Sequence, residues 1–276
     1  MRFEIVTIFP GFFSSFFENG ILRRALADGL VEVAVHDLRT FTHDRHRTVD
    51  DRPFGGGEGM VLKPEPLAEA LASLGVEPKA QRAHAQSAPP QVVLLSAQGR
   101  PFSQALAREL ANLGRVVLLC GRYEGVDERI NQLYCDMDLS IGDYVLSGGE
   151  LAAAVVMDAT MRLIPGVLGN EASGEFESFG VPDAEIISGS GSVPRSQHGS
   201  GGLLDYPHYT RPAEFAGLRA PEVLMNGDHE QIRRWRREQQ LRKTLANRPD
   251  LLEHAVLSKE DSKMLESIRH SGQTPD

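Results

Sequence analysis

The chain has 276 residues, with 29 Lys+Arg, 38 Asp+Glu and a formal net charge of −9. Hydrophobic residues make up 41% and charged residues 24%, which excludes wholesale disorder, a collagen-like fibre and a coiled coil. No apolar run reaches the roughly 18 residues of a membrane span, and two cysteines, Cys120 and Cys135, form neither a disulfide framework nor a zinc cage, so a cytoplasmic protein is expected.

Residues 2–9, RFEIVTIF, read as a first strand. Glu4 and the Pro10-Gly11 turn mark this N-terminus as structure rather than a signal peptide. A helix is expected over 14–28. VEVAVHDL follows as a second strand, with Val31, Val33 and Val35 in alternation. PEPLAEALASL reads as a helix, and 76–90 as a surface loop. QVVLLS (91–96) and RVVLLC (115–120) are nearly continuous apolar runs, the mark of strands buried on both faces of a parallel sheet. The segment PFSQALARELANLG between them predicts an amphipathic helix from the proline to Gly114. Strand, helix and strand at this spacing make a βαβ unit. A strand near 137–141 and a helix over 148–163 complete the α/β pattern.

Residues 188–202 hold five Gly and five Ser and read as a flexible linker. From about 211 the chain is expected to be helical, over 228–246, 249–256 and 258–270. A domain boundary is therefore placed within 170–205. Residues 211–248 contain nine Lys/Arg and five Asp/Glu, a local +4 that leaves −13 for the rest. A basic element on an acidic body suits nucleic acid or a solvated helix face equally well.

Ligands of open α/β sheets bind beyond the carboxyl ends of the strands. Three glycine-bearing loops follow strands here, at 95–100, 120–125 and 141–150. One such loop is most simply a tight turn. Three together point to a small molecule held largely by backbone. Neither a Walker-type phosphate loop nor a dinucleotide fingerprint is present, which disfavours an NTPase or a dinucleotide oxidoreductase. A fourth glycine cluster, 52–60, follows the cationic run His43–Arg47 and reads as a surface loop or an anion contact. His36, His43 and His46 lack the carboxylate or cysteine spacing of a metal site. Glu171, Glu175 and Glu177 in the loop 165–180 supply carboxylates suited to a general base. Arg162 suits a helix C-terminus, or the stabilisation of a reaction anion.

The strings Asp50–Gly57 (DDRPFGGG), Cys120–Arg129 (CGRYEGVDER), Ser140–Glu150 (SIGDYVLSGGE), Ile164–Gly169 (IPGVLG), Gly202–Pro212 (GLLDYPHYTRP) and Ile232–Arg236 (IRRWR) resemble the bacterial tRNA (guanine-N(1)-)-methyltransferases of the TrmD family. The likeness runs from Phe9 to about Leu252. It implies the SPOUT class, with a deep trefoil knot in the parallel α/β sheet, a rare exception to connection rules. It implies a methyltransferase domain over 1–168, a linker and active-site loop over 169–205, and a small helical tRNA-binding domain over 206–276. The implied activity moves a methyl group from S-adenosylmethionine to N1 of the guanosine just 3′ of the anticodon, with a homodimer sharing its active sites and the anticodon arm as partner. The implied cofactor residues are Leu95 and Ser96, then Gly121, Arg122, Tyr123 and Glu124, then Ser140, Ile141, Gly142, Tyr144, Leu146, Gly148 and Gly149. No protein metal ligands are implied; magnesium acting through the RNA, or near Glu124 and the base, is left open.

The resemblance implies that Arg162 assists an aspartate base followed by Ser-Phe. Here Ser178-Phe179 follows Glu177, one methylene longer. Glu177 is the expected base, with Glu175 or Asp183 as substitutes. The same departure sustains an alternative, a catalytically impaired RNA-binding homologue. The stretch between Phe179 and Gly202 is also longer and richer in Gly and Ser than the family pattern. It is expected to order on RNA, at an entropic cost.

Overall fold

A computed structural model describes residues 1–82, 89–169, 176–180 and 199–271. The chain divides into two compact units, Met1–Gly169 and Asn170–Asp276.

The first unit contains strands β1 (Arg2–Thr7), β2 (Glu32–Asp37), β3 (Gln91–Pro101), β4 (Arg115–Cys120) and β5 (Met137–Ser140). Its main helices are α1 (Gly20–Ala27), α2 (Pro64–Ser73), α3 (Gln104–Ala111), α4 (Glu128–Tyr134) and α5 (Glu150–Met161). The strands form one parallel sheet in the order β2-β1-β4-β3-β5. Leu118 of β4 lies opposite Ile5 of β1 and Val93 of β3, which fixes the centre of the register.

Side chains alternate across a strand, so an unbroken apolar run must have core on both sides. Val93, Leu95, Val116 and Leu118 join Phe3, Ile5 and residues of α1, α3 and α5 in one buried cluster. Val92, Leu94, Val117 and Leu119 join Leu67 and Leu71 of α2 and Ile130 of α4 in another. Each fully buried leucine or valine contributes about 1.5–3 kcal/mol relative to exposure. Along α5, Ala153, Val156, Met157 and Thr160 face inward at helical spacing.

Glu4 breaks the apolar rule on β1 without leaving an unpaired charge. Its buried carboxylate meets Arg2 Nε at 2.7 Å, His36 Nε2 at 2.6 Å and Arg115 Nη2 at 3.1 Å. Burial pushes the carboxyl up, but the His36 hydrogen bond and the charges of Arg2, His36 and Arg115 outweigh it and hold the group below its usual range.

Three expectations about local structure are corrected. The helix expected over 14–28 is interrupted. A short helical turn covers Ser14–Phe17 and α1 starts only at Gly20, because Asn19 is extended and Gly20 adopts φ +63°. Pro101 does not open the next helix but closes β3; Ser103 caps α3, its Oγ accepting from Leu106 N at 3.3 Å. The strand expected at 91–96 continues to 101 through an irregularity. Leu139 of β5 pairs with Leu95 and again with Arg100, and a Cβ on Gly99 would sit inside the Asp138–Leu139 peptide.

In the second unit, α6 (His229–Asn247), α7 (Asp250–His254) and α8 (Lys259–Ser271) occupy the segments expected to be helical. Asp228 caps α6, accepting from Glu230 N at 3.0 Å and Gln231 N at 3.1 Å. Leu241 of α6, Ile268 of α8 and Leu203 form the local core. A two-stranded hairpin, Glu214–Phe215 against Leu218–Arg219, stands where only helix was expected. Of the segment read as a linker, 176–180 and 199–205 are described, and they are tied together. Phe179 N donates to Leu203 O at 2.8 Å, Gly202 N to Gly180 O at 2.9 Å and Asp205 N to Ser178 Oγ at 2.9 Å.

Candidate functional site

The irregular middle of β3 and the loops that leave the carboxyl ends of β4 and β5 converge on one open cleft with a cavity of about 160 Å³. All thirteen residues expected to hold a cofactor line it: Leu95 and Ser96 from β3 itself, Gly121–Glu124 from the second glycine-bearing segment, and Ser140, Ile141, Gly142, Tyr144, Leu146, Gly148 and Gly149 from the third.

Backbone geometry explains the glycines. A Cβ on Gly149 would lie 2.7 Å from Cys120 Cα, and one on Gly121 would lie 3.3 Å from Leu95 O. Both positions need a bare backbone because three chain segments meet there. Gly149 N donates to Gly121 O at 2.8 Å, and Arg122 and Gly148 form an isolated antiparallel bridge. Tyr123 adopts φ +61°, a left-handed conformation that a non-glycine residue holds only when its surroundings enforce it. The third loop is closed by Ser140, whose Oγ donates to Gly142 O at 3.0 Å, and by Tyr144, whose hydroxyl donates to Ile141 O at 3.2 Å. The fourth glycine cluster is tied to the second loop: Glu124 N donates to Met60 O at 3.0 Å, and a Cβ on Gly59 would collide with the Glu124 side chain.

A group that sequence reasoning missed is bound to the cleft-lining Arg122. Glu150, the first residue of α5, is only 1% exposed. It accepts from Thr7 Oγ1 at 2.7 Å and from Arg122 Nε at 3.0 Å, and its Oε2 makes an ion pair with Arg122 Nη2 at 3.0 Å. Arg122 Nη1 donates to Ser147 O at 3.0 Å, and its guanidinium lies 4.5 Å from the Phe9 ring centroid. The local string Ser-Gly-Gly-Glu marks Glu150 as a helix start and nothing more. Its partners Thr7 and Arg122 are distant in sequence.

The two cysteines are unsuited to nucleophilic work. Burial, with the Glu150 charge adding to it, pushes the Cys120 thiol well up. Burial pushes Cys135 up to about 12. Neither is a thiolate at neutral pH. Among the described residues, no three of His, Cys, Asp and Glu converge as a metal-ligand set, and no helix is long and apolar enough to cross a membrane.

Arg162 terminates α5 and is half-buried; it is not among the cleft-lining residues. Glu177 belongs to the second unit, half-buried in a turn closed by Gly180 N donating to Glu177 O at 3.0 Å. Phe179 in that turn adopts φ +62°. Glu171, Glu175 and Asp183 lie outside the described residues. The second unit also carries an aromatic and cationic face. Arg236 lies 4.7 Å over the Tyr206 ring, Tyr206 meets His208 at 4.8 Å with the rings tilted by 47°, and Tyr209 meets Trp235 at 6.3 Å. Not every arginine of α6 is at the surface. Arg237 is buried, bound to Asp261 through Nε at 2.8 Å and Nη2 at 3.0 Å, with Gln240 Oε1 accepting at 3.1 Å.

The family model described as tRNA (Guanine-1)-methyltransferase TrmD matches residues 1–254. A tRNA (guanine-N(1)-)-methyltransferase of Koribacter versatilis is 55% identical over 269 residues, covering 98% of each chain. Proteins of the same name from Dehalococcoides mccartyi and Geobacter metallireducens are 47% and 46% identical, covering 97% and 96% of each chain. On a match of this extent, the chain belongs to the tRNA (guanine-N(1)-)-methyltransferase family.

Proposed function

We propose that this chain transfers a methyl group from S-adenosylmethionine to N1 of the guanosine immediately 3′ of a tRNA anticodon, in the cytoplasm. The observation that carries the reading is the convergence of all thirteen expected residues on one cleft in a chain of this family. The cleft suits an adenosyl group. Leu95, Ile141, Leu146 and Ala152 give it apolar walls, and the bare backbones at Gly121 and Gly149 let a flat ring approach peptide edges. When bound, the cofactor supplies a methyl carbon on a cationic sulfur and leaves as the neutral thioether S-adenosylhomocysteine.

The residues of the chain supply alignment and proton transfer. N1 of guanine carries a proton at neutral pH, so attack needs a base. Glu177 takes that proton as the N1 electron pair bonds to the methyl carbon and the carbon–sulfur bond breaks toward sulfur. A positioned base contributes about 10²–10⁴ in rate. Arg162 balances the negative charge that grows on the guanine as N1 loses its proton. We assign the active enzyme a homodimer, with each cleft completed by Glu177 of the partner subunit. The outer stripe of α5, where Leu151 and Val155 are exposed beside a buried inner face, supports a second copy there. A deep trefoil knot around β3–β5 belongs to the same reading. The second unit binds the anticodon arm, supported by its local +4 and its aromatic face, since unstacked loop bases are read by stacking and edge contacts.

Label transfer from S-adenosylmethionine to two unmodified tRNA transcripts tests this. The transcripts differ only in guanosine or adenosine just 3′ of the anticodon. Transfer to the guanosine transcript alone is expected. Cofactor binding without transfer to either would instead select an RNA-binding homologue that has lost catalysis.

A further inference from the structure

Arg122 brings a full positive charge to the lining of a cleft that, under the proposed function, receives a cationic sulfonium. Left alone, that charge would repel the donor more than the neutral thioether product. The inward side of Arg122 is answered by Glu150, which accepts from Nε at 3.0 Å and pairs with Nη2 at 3.0 Å while Thr7 Oγ1 holds Oε1 at 2.7 Å. Ser147 O takes Nη1 at 3.0 Å. A Cβ on Gly148 would lie inside the Arg122 side chain, so the guanidinium packs directly on the bare backbone of the third loop. The pair is thus locked, buried on the carboxylate side and turned to the cleft on the arginine side.

We propose that Glu150 is a positioning and selectivity residue: its buried carboxylate neutralises Arg122 and so lets the cleft accept a positively charged donor over the uncharged product. The proposal rests on S-adenosylmethionine being the ligand. The two ligands differ only by the charge and the methyl group at sulfur, so a steric defect away from that methyl weakens both alike. A charge defect separates them, because an unpaired charge at a partly desolvated site shifts the binding of a neighbouring cation by roughly tenfold.

Titration calorimetry with S-adenosylmethionine and S-adenosylhomocysteine on the full chain reads this directly. Binding of both ligands by the wild-type chain tests the cofactor assignment itself, separately from the role of Glu150. Glu150→Gln keeps shape and the Thr7 contact and removes the charge. It is expected to weaken the donor roughly tenfold more than the product. The double variant Arg122→Gln/Glu150→Gln is expected to restore the wild-type ratio, whatever its absolute affinities. Thr7→Val, which changes no charge, is expected to leave the ratio alone. If Glu150→Gln does not fold, Arg122→Gln carries the test with the opposite sign, favouring the donor. Equal weakening of both ligands, or an unchanged ratio, would overturn the proposal.

Discussion

Each unit of this chain pairs an arginine with a buried carboxylate, but the geometry and the surroundings differ. Arg122–Glu150 borders an open cleft, with one face of the guanidinium against Phe9 and one nitrogen on a loop carbonyl. Arg237–Asp261 is enclosed between α6 and α8 and is completed by Gln240 and Ser200. The same chemistry therefore does two jobs. Where the pair faces a cleft, its loss is read in ligand binding. Where it is enclosed, its loss is read in stability, because a buried charge without its partner is costly.

The sharpest test of that division lies in catalysis. Glu177→Gln is expected to lower kcat about 10²–10⁴-fold while calorimetry shows unchanged affinity for S-adenosylmethionine. An unaffected turnover would remove Glu177 from the mechanism. Next in size, Arg237→Ala is expected to cost about 3–5 kcal/mol of stability in the second unit, seen in urea unfolding, with cofactor affinity intact. A loss of cofactor binding at that position would erase the distinction between the two pairs. Gly149→Ala should do the reverse: its Cβ meets the Cys120 backbone at 2.7 Å, and the expected outcome is at least roughly tenfold weaker cofactor binding, or about 1.4 kcal/mol.

Acid tests the enclosed pair in another way. Burial pushes Asp261 up, yet the hydrogen bonds and charge of Arg237, with Ser258, win and hold it below its usual value. A depressed carboxyl contributes stability that is complete above the unfolded value, near about 3.9, and lost as pH falls through the folded one. Melting followed from about pH 6 downward should therefore show the second unit weakening below about pH 4, and Asp261→Asn should flatten that slope. The smallest effect belongs to the surface: Arg242→Ala, which breaks an i,i+4 contact to Glu238 at 2.8 Å, should change stability by about 0.3–0.5 kcal/mol.

The parts of the molecule legible in its sequence are those governed by local pattern. The runs at 91–95 and 115–120 announce buried parallel strands because both faces need apolar side chains. The helix caps at Ser103 and Asp228 follow side-chain type, although Pro101 mimics a helix start ahead of the true cap. The hairpin at 214–219 is not legible, because Ala216-Gly217 carries no asparagine or aspartate signal, and Ala216 is held at φ +52° by the turn itself. The second and third glycine loops are legible as loops, whereas the first, 95–100, is an irregular stretch of β3; the residues are legible as a set through family likeness. The Thr7–Arg122–Glu150 clasp is not, since nothing local distinguishes a threonine ending a strand or a glutamate starting a helix from ordinary caps.

That clasp also bears on how the chain matures. Thr7 and Glu150 are 143 residues apart, and the loops between them come from strands that pair out of sequence order. Such long-range closure costs chain entropy before its contacts form, and it slows folding. The cleft cannot exist on the ribosome until residue 150 has emerged and β1, β3, β4 and β5 have all docked. Cofactor capture is then a late event, and a fluorescent adenosyl ligand added during refolding would report completion of the first unit rather than its collapse.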